Sequence, residues 1–470
     1  MCLSCISAIT YLKELLFDRK AYAETLRLVF TSQGQVSVST AIWRGARARH
    51  DPASCLLPPA ASSRLHRLPS PMLSLLLASS GLVLPPPVPS PMEAKARAYF
   101  GLGNTVKQQL GPTNAKDLEA ALDTRFEFVA PLVGPLDKKA IIAATEGLDL
   151  GAALPDFDAR YHDFRSDPDD PLRVWMTMRV CGTQTGPLSF AGTTAEPSVP
   201  PIRVESPPEA VSLRFSESGS LVELTTGYPM DTRCGTTGGL GGIFGILEGL
   251  GKPLPTPLTR STVEILTPLL RLIGSAPPAV DVSLRRPPQL DEDSRLPADR
   301  LLELTAALIE SKFGTENSAL LAPSFTFSGP VGEPLDRTSF LAAGWIDLEA
   351  GMPDLEQNYR DARPCGFDVN RVWYTSSPLG THTRPLTLGS VTHPPTGRRW
   401  ESPPECGSAT FDAEGRCVSV TFGYVMDRRM GNTDGLGGLF GLCSALELPM
   451  PVPKWQLRTP VQNLARIRGD

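Results

Sequence analysis

The chain of 470 residues predicts an α+β fold that occurs twice, and three observations carry that reading. Eight short motifs recur in one order, at an offset that drifts only from 199 to 196 residues, which marks a duplication. Each copy opens with apolar residues at helical spacing and closes with short runs of strand-forming residues. Turn pairs between those runs, Ser218-Gly219 and Glu414-Gly415, point to sequential strands paired antiparallel.

The motifs fix the boundaries. Phe126-Glu127-Phe128 recurs as Phe325-Thr326-Phe327, and Pro135-Leu136-Asp137 as Pro334-Leu335-Asp336. Pro155-Asp156 matches Pro353-Asp354, Arg173-Val174-Trp175 matches Arg371-Val372-Trp373, and Gly182-Thr183-x-Thr185 matches Gly380-Thr381-x-Thr383. Glu205-Ser206-Pro207-Pro208-Glu209 is repeated intact as Glu401-Ser402-Pro403-Pro404-Glu405. Gly227-Tyr228-x-Met230-Asp231 returns as Gly423-Tyr424-x-Met426-Asp427, and Gly239-Leu240-Gly241-Gly242 as Gly435-Leu436-Gly437-Gly438. The chain therefore divides into a leader (1–90), a first copy (91–257), a linker (258–297), a second copy (298–453) and a tail (454–470).

Within each copy the elements follow in the same order. A helical opening is expected over 92–122 and 298–312, with apolar residues at helical spacing such as Leu301, Leu302, Leu304, Leu308 and Ile309. A short strand follows at Phe126–Phe128 or Phe325–Phe327. Asp137 and Asp336 then stand before a run of helix formers, as an N-cap does. The remaining strands are expected at 173–180, 210–215 and 221–228, and at 371–376, 408–411 and 418–424.

Composition narrows the function classes. Hydrophobic residues at 41% and charged residues at 20% describe a globular chain with ample material for cores. A net charge of -5 argues against a nucleic-acid surface. None of the cysteines within the copies is shared: Cys181, Cys234, Cys406, Cys417 and Cys443 face Leu379, Met430, Ala210, Leu221 and Leu247, while Cys365 faces Asp167. No disulfide or thiolate metal site belongs to the common unit, and buried free thiols are expected. Cys2 and Cys5 form a lone terminal pair. The glycine-rich stretches lack the phosphate-loop lysine, and Phe244 stands where a dinucleotide fingerprint needs its third glycine. They read instead as segments that pack backbone against backbone. No cofactor or metal is expected.

The leader is a separate matter. Residues 31–71 hold Arg44, Arg47, Arg49, Arg64 and Arg67 against one acid, Asp51, a composition typical of transit peptides. The apolar run from Leu73 to Leu84 rises about 18 Å as a helix, short of the roughly 30 Å hydrocarbon core, so no integral membrane span is expected. A plastid destination fits the arginine-rich composition, with the secretory pathway or the cytoplasm as alternatives. Met72 directly precedes the apolar run and is an alternative start.

The pattern Arg-Val-Trp-x-Thr, the following Gly-Thr-x-Thr and the closing Gly-Tyr-x-Met-Asp resemble SnoaL-like members of the nuclear-transport-factor-2-like superfamily, over about residues 95–257 and 298–453. They are most similar to a branch from photosynthetic eukaryotes. The resemblance implies a cone: a curved antiparallel sheet wrapped around helices, with a pocket between them. It also implies face-to-face pairing, here an internal pseudo-dimer of two tandem domains. Family members include cyclases, isomerases, hydrolases and dehydratases as well as plain binding and dimerisation modules, so the fold names a pocket and no reaction.

No histidine is shared: His162 faces Arg360 and His382 faces Gln184, which excludes a common histidine mechanism. The shared ionisable residues are the candidates. Asp231 and Asp427, with Tyr228 and Tyr424 as partners, match the carboxylate that the resemblance implies as general base; the competing reading pairs Asp231 with Arg233 and makes it a turn cap. Strand alternation puts Arg173, Trp175 and Thr177 on one face and Val174, Met176 and Met178 on the other, and either could line a pocket. Trp175, Trp373, Arg173 and Arg371 are thus ligand-binding candidates, with packed core as the alternative for the tryptophans. Glu209 and Glu405 could reach a pocket rim or pair with Arg203 and Arg399. Two functions remain: a pocket for an apolar or amphipathic small molecule, with or without isomerase, cyclase or hydratase chemistry, or a non-catalytic structural or protein-interaction module in a plastid.

Overall fold

The computed structural model describes residues 90–101, 115–190, 192–254, 286–330, 334–344 and 346–449, with a small strand pair, Val29–Phe30 against Val36–Ser37. Most of the expected transit segment, Met72, residues 258–285 of the linker and the tail from 454 lie outside the described residues. Among those residues, no helix is long and apolar enough to cross a membrane.

The chain folds as two similar α+β halves, each a six-stranded sheet with helices on one face. In the first half, helix α1 (Pro91–Tyr99) starts where Ser90 accepts the Glu93 N–H and proline occupies the first turn. Strand β1 (Leu122–Val129) and the short β2 (Leu136–Asp137) lead into α2 (Lys138–Thr145), capped by Asp137 through the Ala140 N–H at 2.7 Å. Strands β3 (His162–Ser166), β4 (Arg173–Met178), β5 (Glu209–Phe215) and β6 (Leu221–Pro229) follow, then α3 (Gly242–Gly249).

The second half repeats this: α4 (Ala298–Glu310), β7 (Leu321–Ser328), β8 (Leu335–Asp336), α5 (Arg337–Ala343), β9 (Arg360–Pro364), β10 (Arg371–Ser376), β11 (Glu405–Phe411), β12 (Cys417–Val425) and α6 (Gly438–Leu446). Helix α4 buries Leu301, Leu304, Thr305 and Leu308, one stripe at helical spacing, against β9 and β10. Asp336 caps α5 through the Ser339 N–H.

Strand order is β2-β1-β6-β5-β4-β3, and β8-β7-β12-β11-β10-β9 in the second half. All pairings are antiparallel except β1 with β6 and β7 with β12, which run parallel, with Phe128 opposite Leu224 and Phe327 opposite Val420. The edge strands β3 and β9 carry mostly polar, half-buried residues, and so lack the apolar alternation by which a strand is recognised.

Both sheets carry a bulge at a matching place. The register slips between Ala210 and Ser212 and between Cys406 and Ser408, opposite Gly227 and Gly423. Those glycines hold φ at +79° and +86°, a conformation that a side chain would strain. The inner faces enclose two cores, one with Val174, Met176, Leu213 and Phe126, the other with Val372, Tyr374, Ala409 and Phe325. A third cluster takes Trp175, Tyr228 and Met230 from one half and Trp373, Tyr424 and Met426 from the other. It lies on the outer faces of the two sheets.

Candidate functional site: a charged seam and an apolar cavity

Many of the residues retained in both halves gather where the outer faces meet. Arg371, 3% exposed, reaches across to Asp231 with Nη2 2.7 Å from Oδ2, and also donates to Ser408 in its own half. Arg233 holds the same Asp231 carboxylate from its own half through two bonds of 3.0 Å. On the other side Arg429 holds Asp427 at 2.8 Å, and Arg173 lies 4.0 Å away. There Arg173 turns mainly to Glu223, and Arg429 joins it at 2.9 Å. Ser419 occupies the place that matches Glu223, and it accepts from Arg233 at 3.3 Å. Further out, Arg165 donates to Asp361 at 3.3 Å and Arg363 to Asp163 at 3.0 Å, two crossing pairs of the same kind.

This geometry decides what the expected general bases can do. Burial works to raise the Asp231 carboxyl, but Arg371 and Arg233 outweigh it and hold it well below the usual carboxylate range. A carboxylate so weakly basic and so fully paired is a poor proton acceptor at neutral pH. The tyrosines cross over: Tyr424 OH lies 3.3 Å from Thr232 Oγ1, next to Asp231, and Tyr228 accepts the Arg428 N–H at 3.3 Å. Asp231 and Tyr424 are thus neighbours, both buried in the seam. Trp175 and Trp373 are packed there too. Trp175 donates to Asp167 at 2.6 Å, whereas in the second half a thiol, Cys365, stands beside Trp373. The structure therefore spends Asp231, Asp427, Tyr228, Tyr424, Arg173, Arg371, Trp175 and Trp373 on joining the halves.

Glu209 and Glu405 stand elsewhere, on the inner faces. The expected pairing with Arg203 and Arg399 is replaced: Arg203 meets Asp156 at 3.3 Å and Arg399 approaches Glu401 at 3.8 Å. Glu209 instead accepts the Gly242 N–H at 3.0 Å, and Glu405 accepts the Gly438 N–H at 2.9 Å and the Ser402 hydroxyl. Each buried carboxyl thus caps the first turn of a glycine-rich helix whose own N-cap, Gly241 or Gly437, offers no side chain. Gly241 must be glycine because a Cβ there would stand 2.5 Å from the Gly227 oxygen and 2.9 Å from Glu209. The two repeated motifs, Pro-Pro-Glu and Gly-Leu-Gly-Gly, are therefore two sides of one clamp. Burial pushes both carboxyls up to about 7, against the pull of their hydrogen bonds.

Beside the second clamp lies a cavity of about 340 Å³. Its wall includes Phe313, Phe327, Phe340, Phe422, Tyr359 and Trp400, with Gly438 and Leu439 from α6. Leu439, 38% exposed, reaches solvent at its rim. None of the wall residues is charged. The first half carries smaller side chains at several matching positions: Ile141 for Phe340, Ala159 for Gln357, Val204 for Trp400 and Thr226 for Phe422. Its Tyr161, the counterpart of Tyr359, stacks on Phe100 with ring centroids 4.2 Å apart. Reasoning from shared residues missed Phe340, Trp400 and Phe422, because they are not shared. The available signal was the opposite one, a cluster of aromatic gains in one copy.

Among the described residues, no group of three or more His, Cys, Asp and Glu side chains is placed to hold a metal, and the six described cysteines are buried and free.

No protein-family model matches the chain. No curated protein matches it either. Solved structures similar to parts of it include a candidate SnoaL-like polyketide cyclase from Jannaschia sp. CCS1, 17% identical, aligned over 33% of this chain and 98% of its own, with a TM-score of 0.23. AclR, a candidate hydroxylase from Streptomyces galilaeus, is 16% identical over 40% of this chain and 96% of its own, at 0.24. IdmH, a candidate polyketide cyclase from Streptomyces antibioticus, is 24% identical over 26% and 89%, at 0.20. At these scores the likeness adds nothing to what the strands and helices themselves establish.

Proposed function

We propose that this chain binds an apolar small molecule in its second half, and that the first half serves as the scaffold against which that half is held. The observation that carries the reading is the uncharged, aromatic cavity of about 340 Å³ beside α6. Its size and lining fall within the range of small-molecule sites. The two halves act as an internal pseudo-dimer of SnoaL-like domains, a reading supported by the crossing pairs Arg371–Asp231, Arg165–Asp361 and Arg363–Asp163. Turnover of the isomerase, cyclase or hydratase kind would fall to Tyr359, in the cavity wall, and Glu405, behind Gly438, rather than to the paired aspartates.

A second reading, a structural or protein-interaction module in a plastid, is favoured by the commitment of the shared residues to the seam. Extraction of the protein purified from its native host, followed by mass spectrometry, separates the two. The binding reading expects one apolar compound recovered with the wild-type chain and absent from a Val420→Phe variant, which narrows the cavity. Recovery of no compound, or equal recovery from both proteins, contradicts it.

A further inference from the structure

We propose that a second cavity, at the seam between the halves, binds a small organic molecule through its phosphate group. None of the residues that line the apolar cavity lines this one. It measures about 660 Å³, and its wall carries Arg179, Arg233, Arg286 and Arg371 against Asp368 and Glu292. Glu292 is already held by Arg295 at 2.8 Å. Asp231 joins Arg233 to Arg371, and Asp368 joins Arg371 to Arg179 at 3.4 and 2.7 Å. Two carboxylates thus run between three guanidiniums, and the remaining neighbour of Arg179, Glu205 at 3.1 Å, is shared with Arg160. Arg286 is exposed and has no ion pair with any described residue. The cavity is left with positive charge in excess.

The matching place across the seam shows what this one lacks. There Arg429 and Arg173, the counterparts of Arg233 and Arg371, are met by Asp427, Glu223, Glu127 and Asp170. On the cavity side Ser419 stands for Glu223 and Thr326 for Glu127, so two carboxylates are gone. Arg179 is gained where the second half has Ser377, and the smaller Thr410 lines the cavity in the place of Arg214. As a result Nη1 of Arg429 meets Glu127 at 3.0 Å, whereas Nη1 of Arg233, whose side chain is 6% exposed, has no partner. A guanidinium presents its donors as a planar fork that fits phosphate oxygens, and a buried one short of counter-charge is costly. An anion from outside supplies what Glu223 and Glu127 supply on the other side. Phe367, 43% exposed on the same wall, offers a ring face to the body of such a ligand. The volume suits a small molecule rather than a bare ion.

Calorimetric titration of the full chain with phenyl phosphate and with inorganic phosphate, at constant ionic strength, tests this. The wild-type protein should bind phenyl phosphate about tenfold more tightly than inorganic phosphate, the contribution of one ring contact. Arg286→Gln removes an exposed, unpaired charge and should weaken phenyl phosphate binding about tenfold without loss of stability. Ser419→Glu returns the carboxylate present across the seam, and it should weaken binding at least as much while thermal stability holds or rises. No heat from phenyl phosphate, or an affinity unchanged by Arg286→Gln, overturns the site, and does so even where Ser419→Glu fails to fold. Full binding by a folded Ser419→Glu protein overturns it as well. Equal affinities for the two probes overturn the organic ligand.

Discussion

Asp231 keeps its charge out of water because two guanidiniums, Arg371 from the other half and Arg233 from its own, meet its oxygens at 2.7 and 3.0 Å. Removing the carboxylate would leave Arg371 with Asp368, 3.4 Å away, and would strip the buried Arg233 side chain of the ion-pair partner it holds. Asp231→Asn should therefore cost about 3–5 kcal/mol in unfolding free energy measured by urea titration. Asp427→Asn should cost less, because Arg429 is a quarter exposed and keeps Glu223. The two glutamates behave oppositely with pH. Burial raises Glu209 and Glu405 from an ordinary 4.5 to about 7, so the folded chain binds these protons more tightly than the unfolded chain. Their contribution is fully present below about pH 4.5 and is lost as the pH rises through about 7. Unfolding free energies of the Glu209→Gln, Glu405→Gln double variant should lack that decline, and a slope equal to that of the wild-type chain would show the carboxyls to be ordinary.

The clamp between strand and glycine-rich helix is the element that ties the repeated motifs to the cavity. Glu405 leaves the start of β11 and caps α6, and α6 supplies Gly438 and Leu439 to the cavity wall. Gly437 makes the close approach possible, since a Cβ there would overlap the Gly423 oxygen. Gly437→Ala should destabilise the chain by about 2–3 kcal/mol, whereas Gly366→Ala, with open space around it, should stay within about 0.5 kcal/mol. Thermal unfolding of the two variants checks the contrast. Much at this level was legible in the sequence. The Asp137 and Asp336 caps, the β10 span and the split of Arg173, Trp175 and Val174, Met176 between two faces all follow from local periodicity and capping chemistry. The edge strands β3 and β9 were not legible, because half-buried polar residues carry no alternating signal.

Across the whole molecule the two halves share a seam and differ in their interiors. Looking for what both copies kept leads to Asp231, Asp427, Arg371 and the paired tryptophans, and these join the halves. The strand pattern could not say which face turned inward, since that depends on what the second sheet covers. The cavity arises where the copies diverged, at Phe340, Trp400 and Phe422, and only the folded arrangement brings those distant positions together. On this account the first half lends the second a rigid back, and the second keeps its cone open to a guest. Crystals of the full chain equilibrated under xenon pressure test this most directly, because xenon enters apolar cavities of this kind. The account predicts a xenon peak among Phe327, Phe340 and Phe422 in the second half. A second half without xenon, its aromatic side chains closed on one another, would contradict it.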